Sequence, residues 1–339
     1  MDWSRKAVLV TGGASFISSH LIDLLIENGA RRIRAVDDLS SGRLANIQAH
    51  IDSGVVELVE ADLLTPGVAQ GAVEGMAVVF HLAAIHGGRG FVDLHQAACS
   101  QNLALDGMLI KAAHEAGVEK FVFASSGCVY PNHLQQDVSE ELYLTEPMVG
   151  PPYDADNMYG WAKLMTEMTL AAYHRDLGLR SASCRFFTVY GERGVENHAV
   201  IAMIARAFVR QDPFEVWGDG TQIRNWTYVG DIVRGMLLAA EKIDDGTAVN
   251  LGTEERTRVV DAVHEVQRYT GHHAELKFLP HMPTGPLNRV ASNRLASELL
   301  GWEPQVKFMD GLRRTIDWYF SSRKRQDVGG YLAEMLTER

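Results

Sequence analysis

The sequence predicts an α/β fold, a doubly wound parallel sheet joined to a smaller, less regular C-terminal part. Two observations carry this. Short apolar runs alternate with longer amphipathic segments, and the first run breaks at two glycines into a helical pattern, Ala7–His20, AVLVTGGASFISSH. Strands are expected at Ala7–Val10, Ile33–Val36, Val55–Val59, Val78–Leu82, Phe121–Ala124, Ser183–Phe187 and Val249–Leu251. Between many of them run helical spacings such as Leu21, Leu24, Leu25 and Asn28. Alternating β and α elements favour a parallel sheet wrapped by helices. Right-handed crossovers then place the strand C-terminal ends on one edge, where ligands bind. After Gly191 strand signals thin, and turn-rich pieces such as GDGTQ at 218–222 and LPHMPTGP at 279–286 appear. The expected division is residues 1–190 for the sheet domain and 191–339 mainly for the second, with segments near 225–252 returning to the sheet.

Bulk properties narrow the class. A chain of 339 residues with 46% hydrophobic and 22% charged residues is ordinary for a globular protein. The net charge of −11 argues against a nucleic-acid partner, which usually calls for a basic patch. No apolar run approaches the roughly 20 residues that span a bilayer, so no membrane role is expected. MDWSRKAVLV enters a strand rather than a secretory signal. Cys99, Cys128 and Cys184 have neither metal-ligand nor disulfide-framework spacing, so no metal is expected and a reducing cytoplasm fits.

The first strand, turn and helix form a Rossmann-type seat for a dinucleotide pyrophosphate. Its usual Gly-x-x-Gly-x-x-Gly spacing falls on Gly12, Ser15 and Ser18. Ser18 is a small change where the helix packs on the sheet. Ser15 adds a side chain near the phosphates, although its hydroxyl can donate to them. Asp37 ends the second apolar run, near the offset expected for a carboxylate on the adenosine ribose. A carboxylate there repels a 2′-phosphate and favours NAD over NADP; a solvated turn aspartate beside Asp38 has the same spacing. Asp62, after the third run, is a candidate for the adenine.

Tyr159 and Lys163 lie four apart in NMYGWAKLMTE, on one helix face. An ammonium beside a phenol is expected to lower the phenol pKa, so that the tyrosine accepts a proton at neutral pH. A pair of surface side chains has the same spacing. Upstream, FVFASSGCVYP ends a strand and brings Ser125, Ser126 and Cys128 to the ligand edge.

TGGASFISSH, Asp37, HLAA at 81–84, SSGCVYP at 125–131, YGWAK at 159–163, RFFTVYG at 185–191, WGDGTQIRNWTYVGDIV at 217–233 and LGWEP at 300–304 occur in that order. Together they resemble the extended short-chain dehydrogenase/reductases that act on nucleotide sugars. The resemblance covers nearly the whole chain. It implies bound NAD, held by Gly12, Ser15, Phe16, Ile17, Asp37, Asp62, Leu63, Leu82, Ala83 and Ala84 together with Tyr159 and Lys163. It implies a triad of Ser126, Tyr159 and Lys163. It places Arg224 and Arg289 on the nucleotide diphosphate, where arginine's fork suits phosphate; exposed surface arginines would read alike.

HLAAIHGGRGFVD at 81–93 resembles the sugar-contacting loop of the GDP-mannose 3,5-epimerases, which makes Gly88 and Arg89 substrate candidates. Cys128 stands where those enzymes have their acid/base cysteine; a small buried thiol is the plainer role. The Asp-Glu pair of the 4,6-dehydratases is absent at Gly127 and Cys128. The epimerases' partner lysine is also absent, since no lysine lies between Gly191 and Glu215. His198 is the candidate in its place and Asn197 a neighbouring substrate contact. Thr188, Asn225 and Ser292 depart from the residues common in relatives.

The expected function is epimerisation of a nucleotide-diphosphate sugar, GDP-linked by preference. It would run through transient oxidation, proton exchange at the adjacent carbon and re-reduction. A 4-epimerase that rotates its ketone, a reductase or unusual dehydratase, and a non-catalytic binding protein are the alternatives. The resemblance also implies a homodimer formed through helices near 94–116 and 158–177.

Overall fold

The computed structural model describes residues 1–337. Along the chain come β1 (Ala7–Thr11), β2 (Arg32–Asp37), β3 (Val56–Glu60), β4 (Val78–His81), β5 (Lys120–Ser126) and β6 (Ser181–Phe186). Short strands follow: β7 (Val189–Tyr190), β8 (Phe214–Trp217), β9 (Ile223–Arg224) and β10 (Thr227–Tyr228). Then come β11 (Asp245–Leu251), β12 (Thr257–Arg258), β13 (Leu276–Leu279) and β14 (Asn288–Arg289). One seven-stranded sheet takes the order β3-β2-β1-β4-β5-β6-β11, every pair parallel. All seven expected strands are in it. The order reverses between β1 and β4, which opens a crevice beyond their C-terminal ends.

The helices are α1 (Phe16–Glu27), α2 (Gln48–Asp52), α3 (Val68–Val73), α4 (Arg89–Leu94), α5 (Gln96–Ser100), α6 (Asn102–Glu115) and α7 (Asn157–Leu177). After them come α8 (Ala199–Phe208), α9 (Val229–Lys242), α10 (Val259–Thr270), α11 (Arg294–Leu300), α12 (Phe308–Ser322) and α13 (Arg325–Thr337). Strand β1 shows why the sheet needs both helical layers. Val8 and Val10 join one core with Leu21 of α1 and Met236 of α9, while Leu9 joins another with Leu109 of α6. Alternate residues point to opposite faces, and both faces are dry. Each such side chain contributes about 1.5–3 kcal/mol on burial.

A separate core holds α8, α10 and α12 against β8, with Trp226 stacked on Phe308 at 4.8 Å between ring centroids. Glu196, fully buried, pins the C-terminal helices to the loop before α8. It accepts from the Tyr319 hydroxyl at 2.8 Å and the Tyr331 hydroxyl at 3.1 Å. Among the described residues no helix is long and apolar enough to cross a membrane, and no cluster of His, Cys, Asp and Glu could hold a metal ion.

Candidate active site

After β1 the chain turns at Gly12 with φ +64°. A Cβ there would lie 3.2 Å from the Ala83 backbone, so glycine keeps this turn and the loop after β4 in contact. Thr11 Oγ1 ties the two loops, accepting from the N–H groups of Leu82 at 3.1 Å and Ala83 at 3.0 Å. Ser15 caps α1 without a side-chain cap bond, and its hydroxyl leans to Asp37 Oδ2 at 3.4 Å. The helix N-terminus therefore keeps its N–H groups for an anion. Phe16 and Ile17 pack half-buried on the core, and Ser18 is buried beneath the turn.

Asp37 ends β2, nearly buried, and accepts from Ala14 N at 2.9 Å and Leu39 N at 2.8 Å. Burial pushes its carboxyl up, against those backbone bonds. Three donors leave a two-oxygen carboxylate room for a ribose hydroxyl. A cleft of about 1010 Å³ runs from the Leu39–Arg43 turn past Ala84 to His86. Residues of α12 and α13, among them Tyr331, wall its far side. An open helix N-terminus, a glycine turn and a terminal carboxylate around such a cleft fit a dinucleotide. Leu63 is buried in the core, and Asp62 is exposed with its Oδ1 on Leu64 N at 2.8 Å.

The chemistry-bearing residues meet beside this cleft. Strand β5 ends at Ser126, whose Oγ accepts from Cys128 N at 3.1 Å and is hydrogen-bonded to the Tyr159 phenol. Helix α7 lies hard against the Cys128 turn; a Cβ on Gly160 would sit 2.3 Å from Cys128 O. Lys163, almost fully buried, places its Nζ 5.6 Å from the Tyr159 ring centroid and 4.5 Å from that of Phe123. Burial pushes Lys163 down, opposed chiefly by Asp106. The expected lowering of the Tyr159 phenol is corrected. Its own burial, followed by Cys128, Asp106 and Cys99, pushes it up, and the Ser126 hydrogen bond only opposes this. Losing water disfavours the phenolate more than the nearby ammonium favours it.

A second cleft of about 310 Å³ is lined by Tyr159, Cys128, His198, Asn197, Gly88 and the arginines 89, 224 and 289. Arg289 donates to Gln135 Oε1 at 2.7 Å, to Asp156 Oδ2 at 3.0 Å and to Cys128 Sγ at 3.3 Å. Arg89 shares Asp156 at 2.7 Å and also pairs with Asp93. Among the described residues the hydrogen-bond partners of Arg224 are carbonyls, Ile223 O at 2.8 Å and Thr284 O at 2.7 Å. Desolvation, then Arg289 and Arg89, bring Arg224 down to about 9. Three guanidiniums against two carboxylates leave a positive seat suited to a diphosphate.

Gly88 has no room for a side chain, since a Cβ would reach 2.0 Å from Asn197 O. The His198 ring lies 5.5 Å from that of His86, which in turn lies 5.9 Å from the Tyr159 ring. Burial, then His86, lower His198 to about 3, so the imidazole is neutral. Sequence reasoning missed Asp156, His86 and Gln135. His86 lies within the 81–93 loop but carries no role in the resemblance, and Asp156 and Gln135 belong to no motif; they become neighbours only through folding.

The two clefts share Asn197 and lie at the switch-point edge of a parallel sheet, and their linings fit a dinucleotide and a sugar nucleotide. The chain belongs to the NAD dependent epimerase/dehydratase family, whose model matches residues 8–252. It is 30% identical to GDP-mannose 3,5-epimerase 1 of Oryza sativa subsp. japonica, over 96% of this chain and 86% of that one. It is 33% identical to an uncharacterized UDP-glucose epimerase of Bacillus subtilis, over 93% and 98%. Among solved structures it superposes on the UDP-glucose 4-epimerase of Thermotoga maritima with UDP-glucose, with TM-score 0.83, 30% identity and coverage of 93% and 99%. The UDP-glucuronic acid 4-epimerase of Bacillus cereus, with UDP-glucuronic acid and NAD, gives TM-score 0.82, 28% identity and coverage of 92% and 98%. The protein is an NAD-dependent enzyme of the nucleotide-sugar epimerase class.

Proposed function

We propose that this enzyme epimerises a GDP-linked sugar at a carbon beside the one it transiently oxidises. The observation that carries this is Cys128, which lines the same cleft as Tyr159; its thiol accepts from Arg289, and its backbone N–H donates to Ser126, the partner of the Tyr159 phenol. NAD, when bound, accepts a hydride from the sugar and returns it. Tyr159 takes the sugar hydroxyl proton in its phenolate form, which the Ser126 hydrogen bond and the positive charge of Lys163 favour against the cost of its burial. Once that carbon is a ketone, the neighbouring C–H is acidic, and Cys128 removes or returns its proton. His198 is the candidate on the opposite face; as a neutral imidazole it begins as an acceptor. Arg89, Arg224 and Arg289 hold the diphosphate, and Gly88 and Asn197 shape the sugar pocket. The 81–93 loop, similar to that of the GDP-mannose 3,5-epimerases, favours a GDP-sugar.

A 4-epimerase that turns its ketone within the site is the second reading, favoured by the UDP-sugar 4-epimerases among the solved relatives. Solvent deuterium separates the two. The proposal expects deuterium in the sugar ring by NMR and a loss of about 10²–10⁴-fold in uptake with Cys128→Ala, the usual worth of a general acid or base. Inversion without deuterium uptake establishes the ketone-turning route instead.

We further propose a homodimer through α6 and α7, where Leu103, Trp161 and Met165 are exposed apolar side chains. A reducing compartment, the cytoplasm, would keep Cys128 a thiol, as this chemistry needs.

A further inference from the structure

Asp156 is the N-cap residue of α7, three positions before Tyr159, and its backbone N–H donates to Cys128 O at 2.8 Å. An aspartate at an N-cap ordinarily turns its carboxylate back onto the first N–H groups of the helix. Here it makes no such bond. The carboxylate faces two arginines instead. It accepts from Arg89 Nη1 on Oδ2 at 2.7 Å and Nη2 on Oδ1 at 3.2 Å, and from Arg289 Nη2 on Oδ2 at 3.0 Å. Asp156 is 3% exposed. Burial raises its carboxyl, but Arg289 and then Arg89 hold it below the usual carboxylate range, so it is ionised at neutral pH.

The two arginines differ. Arg89 is largely taken up by carboxylates, since it also donates from Nε to Asp93 Oδ2 at 2.9 Å. Arg289 makes one bond from each nitrogen: Nε to Gln135 Oε1, Nη2 to Asp156, and Nη1 to Cys128 Sγ. One N–H on each terminal nitrogen is left for the cleft that Arg289 lines. A diphosphate there attracts a guanidinium more strongly than a thiol does, so an untethered Arg289 would swing to the phosphates. Asp156 and Gln135 hold it where it reaches both.

We propose that Asp156 is the positioning residue for Arg289: it keeps that guanidinium on the Cys128 sulfur while the diphosphate is bound, and in doing so weakens the grip on the nucleotide. This rests on reading Cys128 as the acid/base group. A guanidinium hydrogen-bonded to sulfur is held most strongly when the sulfur is charged, so the contact supports the thiolate that takes a proton from the sugar. The Asp156 charge also makes the cleft less positive than its arginines alone would make it, which disfavours a diphosphate. The same carboxylate therefore acts on binding and on chemistry in opposite directions.

Asp156→Asn removes the charge and keeps the shape, and Asp156→Ser removes the arginine contact; both residues can cap α7. Three readouts on the NAD-loaded enzyme test the proposal. Calorimetric titration should show GDP and UDP each binding more tightly than to the wild type, by about threefold or more. Alkylation of Cys128 by iodoacetamide, located by peptide mass spectrometry because Cys99 and Cys184 are also free, should slow by about threefold or more. Deuterium uptake at saturating nucleotide sugar should fall by about tenfold or more. A merely structural role would not give tighter binding with slower chemistry, because a loosened cleft weakens the nucleotide too. Retained NAD and unchanged circular dichroism report the fold, and loss of the fold in both variants overturns the proposal. So does unchanged or weaker binding of both nucleotides, unchanged alkylation, or unchanged uptake. Titration and alkylation need no turnover. If both change as expected and the wild type takes up no deuterium from any nucleotide sugar, the epimerase reading falls and the placement of Arg289 stands. Uptake by the wild type with unchanged alkylation in the variants does the reverse.

Discussion

Tyr159 meets its neighbours as a phenol pushed up by burial, so position rather than a preset charge marks it for proton transfer. His198 has a consequence that can be measured. Its native value of about 3 lies below the 6.5 of a free imidazole, so between those values the unfolded chain binds more protons. Stability therefore rises with pH across that window and falls as acid is added. The ceiling for one such group is about 1.4 kcal/mol per pH unit, and water in the open cleft keeps the slope below it. Urea midpoints at pH 4.5, 5.5 and 6.5 should climb less steeply in His198→Asn than in the wild type. Identical slopes would show that the imidazole titrates freely. The residue types in the motifs were legible in advance: Ser126, Tyr159, Lys163 and Cys128 do converge. The direction of the phenol's shift was not, because spacing gives proximity of charge but not loss of water.

At the scale of elements, the site depends on how closely α7 approaches the turn that carries Cys128. Gly160 sits at that contact, facing Cys128 O. Alanine normally stabilises a helix interior over glycine by about 0.5–1 kcal/mol. Here the added methyl would push the turn away, and a misplacement of about 1 Å can cost about 10²-fold in rate. Gly160→Ala should lower both the melting temperature and deuterium uptake, the latter at least tenfold, while NAD stays bound. Gly71→Ala in α3, where a Cβ would meet nothing within 4 Å, is the control and should leave uptake unchanged. The expected strands matched the sheet because most are short runs buried on both faces, as in β1, β4 and β5, while the edge strand β3 is only partly buried. The strands after Gly191 other than β11 are two to four residues long, too short to leave a periodic signal.

For the whole molecule, the proposed dimer is the accessible test. Trp161 and Met165, four apart on α7, are 36% and 45% exposed. Changing both to glutamate should halve the mass seen by light scattering and leave the sheet's circular dichroism intact; a wild-type monomer would end the proposal. The chain by itself determined the alternation of strand and helix, the glycine turn and the order of the motifs, since these follow from local geometry and from which side chains must leave water. Only the tertiary structure decided that Arg89 and Arg289 share Asp156, and that Arg289 reaches Cys128 from 161 residues away. It also decided that Arg206 is buried at the far end of the same cleft. Those relations join residues distant in sequence, and charge pairing and desolvation are set by distances in space that no spacing along the chain encodes.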